Sequence, residues 1–247
     1  MIGRVLETGP RGVLFITGTG TGVGKTIVTA AVAALAQAAG RRVAVVKLAQ
    51  TGVYDGPGSE PSDLETVARL AGVTDTHELA RFPDPLSPEA AARVSGLPPV
   101  DLARAAVRIT ALAVTRDLVL VEGAGGLLVR YDDAGATIAD LATMLNQQGL
   151  DAPTLVVTAA GLGTLNHTAL TLEAAAARKL PVAGVVIGSW PRHPGLAERE
   201  NLTDLETLAD GPLAGLLPEG AGLLSRSAFL AAAGAGLAPS LGGNRSH

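Results

Sequence analysis

"TGTGTGVGKT", Thr17 to Thr26, follows the apolar run "VLFI" and precedes the alanine-rich "IVTAAVAALAQAAG". Strand, glycine-rich turn, Gly24-Lys25-Thr26 and helix, in that order, describe a phosphate cradle. The glycines let the backbone aim its N–H groups inward, and the helix start supplies a positive pole. Lys25 is placed to reach the β and γ phosphates of a nucleotide, and the Thr26 hydroxyl to ligate Mg²⁺. The usual spacing puts the first glycine at position 19, but this chain has Thr19 there and moves the glycine back to Gly18.

Outward from this loop, short β-branched runs alternate with longer alanine-rich helical patterns. Strands are predicted over 13–17, 43–48, 117–121, 154–158, 182–188 and 213–217, and helices over 26–39, 62–71, 88–95, 101–115, 137–148, 165–178, 196–209 and 225–233. Several strands are apolar throughout, as strands covered on both faces must be, and the alternation specifies an α/β fold with a doubly wound, mainly parallel sheet. Ser62 with Glu65 reads as a capping box, and Ser87 before Pro88 as a helix cap. One domain, 12–237, is expected, with flexible ends at 1–11 and 238–247.

The 247 residues carry a net charge of -4 and no long basic run, which argues against nucleic acid as a partner. Without cysteine there is neither a disulfide framework nor a thiolate metal site. No leader and no membrane span is read, so a cytoplasmic location without membrane attachment is expected. Aromatic residues make up only 2%, so the core must be built from Ala, Val and Leu. Arginine supplies all but three of the 19 Lys and Arg residues, the exceptions being Lys25, Lys47 and Lys179. A compact ammonium suits a phosphate better than a planar fork.

Ligands of such sheets sit beyond the carboxyl ends of the strands. There, "KLAQTG" places Lys47 at a strand tip with Thr51 four residues on, and "LVLVEGAGG" ends a buried strand in Glu122. A carboxylate at that tip faces the Mg²⁺ position of Thr26. Asp63, in a first helical turn, fits either a metal ligand or an acid answering the helix dipole. "LGTLNHTALTL" supplies a helix start with Gly163, Thr164, Leu165 and Asn166, whose N–H groups can hold a carboxylate. His167 beside it reads as structural.

The loop spacing, followed in order by Lys47 and Thr51, Asp63, Glu122-Gly123-Ala124-Gly125-Gly126 and Leu162 to His167, resembles the dethiobiotin synthetase family over residues 13 to about 220. The resemblance implies a single-domain, P-loop NTPase-like enzyme. It makes 7,8-diaminononanoate take up CO₂ as a carbamate, activates this with the γ-phosphate of ATP, and closes a cyclic urea. Lys47 and Lys25 would be catalytic. Thr26, Asp63 and Glu122 would hold Mg²⁺. Thr19, Gly22, Val23, Gly24, Lys25, Thr26 and Ile27, with Asp63, Glu122, Gly123, Ala124 and Gly125, would surround the nucleotide. Gly188, Ser189, Leu217, Pro218 and Glu219 would lie near its base. Thr51 would contact substrate, and Gly163 to Asn166 would hold its carboxylate from the neighbouring subunit of a homodimer.

Three departures stand out. Leu48 replaces a proline after the lysine, Asn201 falls where some members carry a substrate-contacting tyrosine, and Gly188 replaces an asparagine that reads adenine. Without that reader, other nucleoside triphosphates are expected to replace ATP, and Gly188→Asn to restore the preference. Lys47→Gln is expected to lower turnover about a hundredfold with the fold intact. The alternatives in the same nucleotide-binding class are a partitioning-type switch ATPase and a cobyrinate-synthetase-like amide ligase. The first carries an additional lysine where this chain has Gly20, and the second a cysteine-bearing domain.

Overall fold

The structure, a computed structural model, describes residues 9–53 and 61–246. In chain order the strands are β1 Gly12–Gly18, β2 Val43–Lys47, β3 Gln50–Thr51, β4 Thr76–Glu78, β5 Arg81–Phe82, β6 Leu118–Gly126, β7 Thr154–Thr158, β8 Val182–Trp190 and β9 Gly215–Pro218. The α-helices are α1 Lys25–Ala38, α2 Asp63–Ala71, α3 Pro88–Ser95, α4 Leu102–Thr115, α5 Ile138–Gln147, α6 Thr164–Ala177, α7 Leu196–Leu208 and α8 Arg226–Gly236.

Seven strands form one parallel sheet in the order β4-β2-β6-β1-β7-β8-β9, with β1 carrying the phosphate loop at its centre. Alternate side chains of each strand go to opposite faces. Leu14 and Ile16 of β1 join Val43 and Val45 in a core under α1, α2 and α8. Val13 and Phe15 join Ala44 and Val46 under α3, α4 and α5. A third cluster packs β7 and β8 against α7 through Val156, Val185, Ile187 and Leu205. Burial on both faces is why these strands lack a polar side.

Three strands escaped the sequence pattern. β4 is a partly exposed edge strand of Thr76, His77 and Glu78, too short and polar to register as an apolar run. β3 and β5 pair in parallel beyond the tips of β2 and β4, with Gln50 opposite Arg81 and Thr51 opposite Phe82. This two-residue ladder holds the segment after Lys47 in place. The capping box of α2 is present, with Ser62 Oγ accepting from Glu65 N and the Glu65 carboxylate accepting from Ser62 N. Ser87 does precede α3, but its side chain makes no capping bond.

The expectation of loose ends needs correction. Residues 1–8 and 247 lie outside the described residues, but Gly9 is buried against Gly242, and Arg41 Nη1 donates to the Pro10 carbonyl. From Ala238 onward the chain is tied down. Ala238 N donates to Ala214 O, Asn244 N to Gly234 O and Arg245 N to Leu237 O, and Leu241 enters the α1 core. Glycine-rich composition hid this, because a single apolar residue anchors the segment.

Candidate active site

The phosphate loop turns between β1 and α1. Gly24 precedes α1 with φ 95°, in the left-handed region that favours glycine. A Cβ on Gly18 would come 2.8 Å from Val23 Cγ2 and 2.9 Å from Gly20 O, so the loop folds back over this glycine and leaves it no side chain. Thr19 N donates to Val157 O (2.9 Å), and Lys25 Nζ to Gly20 O (2.8 Å). The loop is thus anchored on β7 and closed by its own lysine.

Beside it, the tip of β2 pairs with the middle of β6, which runs on to Gly126 past the expected strand end, and Lys47 lies opposite Glu122. Both side chains are buried, at 3% and 1% exposure. Lys47 Nζ donates to Glu122 Oε1 (2.8 Å), to Gly123 O (3.1 Å) and to the Asp63 carboxylate. Glu122 Oε1 also accepts from Thr26 Oγ1 (2.9 Å). Lys47, Thr26, Asp63 and Glu122 therefore converge from β2, α1, α2 and β6. Burial works against the charge of Lys47, but the carboxylates of Glu122 and then Asp63 outweigh it and raise its pKa above the ordinary lysine value. Lys47 is a fixed cation rather than a base. Burial pushes Asp63 up, yet Lys47 above all holds it below the usual carboxylate range. Lys25 goes the other way: burial, and then the charge of Lys47, lower it to about 8.

These groups line a cleft of about 760 Å³ together with Gly22, Gly24, Ile27, Thr51, Ala124 and Gly125. Sequence reasoning missed the roles of three residues, two at this cleft and one at the loop before α6. Gln50, also in the cleft, accepts from Asp63 N through Oε1 (3.1 Å) and so fixes the start of α2. Tyr131 is fully buried, accepts from Ala124 N (2.7 Å), and stays a neutral phenol because burial pushes it up to about 12. Asn201 is buried and donates through Nδ2 to Ala160 O (2.8 Å) and Gly161 O (3.1 Å), fixing the loop before α6. Each acts on a backbone group distant in sequence, so no local pattern marks it. Leu48 gains a bond that proline could not make, from its N–H to Glu122 O (3.2 Å).

At the other end of the loop, Gly188 cannot host a reader. A Cβ there would lie 2.0 Å from Val23 O and 2.8 Å from Val157 Cγ1. The expected Gly188→Asn gain is therefore overturned: the obstacle is the phosphate loop itself. Ser189, Pro218 and Glu219 are exposed nearby, whereas the Leu217 side chain belongs to the core and leaves only backbone to a ligand.

Gly163 to Asn166 do not enter the Lys47 cleft. Thr164 turns its hydroxyl inward, and Leu165 packs against the β7–β8 cluster. Gly163 and Asn166 are exposed. α6 instead borders a second hollow of about 430 Å³, lined by Thr19 to Thr21, Gly125 to Val129, His167, Leu170, Thr171 and Ala174.

A central strand ending in a lysine-bearing phosphate loop, with an acid on the adjacent strand, defines the P-loop nucleoside-triphosphate proteins, to which this chain adds a second buried lysine facing that acid. A family model described as an AAA domain matches residues 12–226. The ATP-dependent dethiobiotin synthetase of Frankia casuarinae is 65% identical over 93% of this chain and 93% of its own. That of Streptomyces avermitilis is 58% identical over 94% of each. The chain belongs to the ATP-dependent dethiobiotin synthetase family. Solved structures share its fold at low identity. A ParA family ATPase from Chlorobium tepidum is 17% identical with a TM-score of 0.53, covering 90% of this chain and 92% of that one. The septum site-determining protein MinD of Pyrococcus horikoshii is 17% identical with a TM-score of 0.55, covering 93% of each.

Proposed function

We propose that the protein runs the dethiobiotin synthetase reaction in the Lys47 cleft, as an ATP-dependent ligase whose residues act in the following roles. One observation carries this reading: Lys47, buried and permanently charged, stands between the phosphate loop and the cleft wall formed by Thr51. Nucleotide binding alone does not call for that second lysine.

One neutral amine of 7,8-diaminononanoate bonds through nitrogen to the carbon of CO₂ and loses a proton to solvent, which gives a carbamate. A carbamate oxygen then attacks the γ-phosphorus of ATP, the bond to the β-phosphate oxygen breaks, and ADP leaves. The second amine attacks the carbonyl carbon, the carbon–oxygen bond to phosphate breaks, and the amine proton passes to solvent as the urea ring closes. Lys47 faces the carbamate and the transferring phosphoryl group, where charge gathers, and Lys25 faces the β and γ phosphates. Thr51 positions the diamine.

The donors present suit Mg²⁺: the Thr26 hydroxyl with the Glu122 and Asp63 carboxylates, all hard oxygens, beside the place for phosphates. When bound, the ion would neutralise phosphate oxygens. A homodimer is part of the proposal. Leu170 is 57% exposed and Leu128 45% in the hollow that α6 borders, and Leu162, just ahead of α6, is 90% exposed. Apolar surface of this kind seeks a partner. A second copy there would carry Gly163 to Asn166 to its neighbour's substrate.

The test is ADP release with and without diamine and bicarbonate. Release should require both. Brisk ATP hydrolysis that the diamine leaves unchanged would favour a switch ATPase instead.

A further inference from the structure

We propose that Thr158 is a positioning residue that couples the phosphate loop to the carboxylate-binding start of α6 through a directed chain of hydroxyls. It rests on the roles proposed above for Thr19 and for Gly163 to Asn166. Thr158 ends β7 and is fully buried, as is Thr168, and Thr164 is nearly so. Thr158 Oγ1 lies 3.3 Å from Thr19 Oγ1, 2.7 Å from Thr164 Oγ1 and 2.8 Å from Thr168 Oγ1.

A hydroxyl has one proton and two lone pairs, so three neighbours saturate it. Thr164 Oγ1 also sits 2.6 Å from the Ala159 carbonyl, which can only accept, so the Thr164 proton is committed there. The contact between Thr158 and Thr164 must then use the Thr158 proton. Both lone pairs of Thr158 are left to accept from Thr168 and Thr19. The protons thus run from Thr19 of the phosphate loop through Thr158 to Thr164 and the backbone ahead of α6, with Thr168 donating into the same chain from the side. Such chains polarise along their length.

Several other helical threonines in this protein turn their hydroxyls back onto their own helix instead. Thr29, Thr143 and Thr171 each donate to the carbonyl four residues back, at 3.0, 2.8 and 2.8 Å. Thr168 could do the same with Thr164 O, yet it turns to Thr158. The downstream loop is pinned from its other side by Asn201, and Thr19 by its backbone bond to Val157. A nucleotide that immobilises Thr19 therefore immobilises the segment presenting N–H groups to the carboxylate. The diamine then meets a site already ordered.

Calorimetric titration of the whole protein with 7,8-diaminononanoate, in bicarbonate-free buffer with and without saturating MgADP, reads this coupling. Diamine affinity should rise about fivefold with MgADP, the lower end of ordinary coupling between sites, and MgADP affinity should rise by the same factor with diamine. Thr158→Ser, which keeps the hydroxyl, should preserve the coupling. Thr158→Val, which keeps the shape, should cut it below about twofold while both ligands still bind. If Thr158→Val does not fold, Thr158→Cys replaces it, because its thiol is a weak donor and acceptor. Absent coupling in the unmodified protein, or undiminished coupling in Thr158→Val or Thr158→Cys, overturns the inference alone. Failure of the diamine to bind any form overturns the synthetase reading with it.

Discussion

Two hollows meet at the wall formed by Thr21, Gly125 and Val129, and they are finished to different degrees. In the Lys47 cleft each buried charge already has its partner within the chain, from four separate elements. The hollow beside α6 is walled by exposed Leu128 and Leu170, and the start of the same helix leaves Gly163 and Asn166 exposed to solvent. The contrast teaches a division of labour. Handling phosphate demands preorganised charge, which one chain can hold rigidly. Recognising the far end of a longer substrate is left to a surface that a second chain completes.

The sharpest way to break this picture is Lys47→Gln. Turnover should fall on the order of a hundredfold or more. The structure adds a cost that sequence did not show. Removing the ammonium leaves Glu122 and Asp63 facing each other without a cation, which should lower stability by about 3–5 kcal/mol in metal-free buffer. Mg²⁺ should restore much of the lost Tm, as read by thermal denaturation. Near-normal turnover would make Lys47 a bystander. A second substitution, Leu170→Glu, probes the other hollow. It should yield monomers by light scattering and raise the KM for diamine by tens of fold, since charged hydrogen bonds contribute about 1.5–3 kcal/mol each. ATP affinity should hold. A monomeric variant with unchanged diamine KM would show that one chain suffices.

Smaller effects refine the phosphate side. Gly188→Asn should weaken every nucleoside triphosphate by about tenfold, because displacing the loop costs of order 1–3 kcal/mol of strain whatever the base. A gain in ATP preference from kcat/KM with four nucleotides would contradict the contact between Gly188 and Val23. The mildest effect is at Lys25. A bound triphosphate favours its ammonium, so the complex holds more protons than the free protein near pH 8, where Lys25 titrates. Nucleotide binding should then take up about half a proton at pH 8 and weaken as pH rises. Calorimetry in buffers of different ionisation enthalpy measures the uptake. In the free protein the sign is opposite: between about 8 and 10.5 the unfolded chain holds more protons, so this group favours folding as pH rises.

Much of the fold was legible because the buried strands are apolar on both sides and the helices carry their own start signals. Lys47, Thr26 and Glu122 could be read because each ends an apolar strand run or opens a helix, where local pattern and function coincide. Gln50, Tyr131 and Asn201 could not. Their work is one or two hydrogen bonds to backbone groups that only the fold brings near. β3, β4 and β5 were lost for a related reason. Two or three residues have no period, and neighbouring strands rather than composition make them strands. The expected gain from Gly188→Asn failed differently: glycine was read as a missing side chain, whereas the packing leaves no room for one.

The packing of residues 238–246 bears on how the protein is born. α1, which carries Lys25 and Thr26, lies against α8, and Leu241 fills the same core. During vectorial synthesis the phosphate loop leaves the ribosome long before α8 and Leu241, and the flank of its helix stays wet until they follow. A nascent chain stalled before α8 would hold the whole signature and still lack the packing that stiffens it. Protease resistance of the loop in such stalled chains should therefore arise in one late step rather than grow with length.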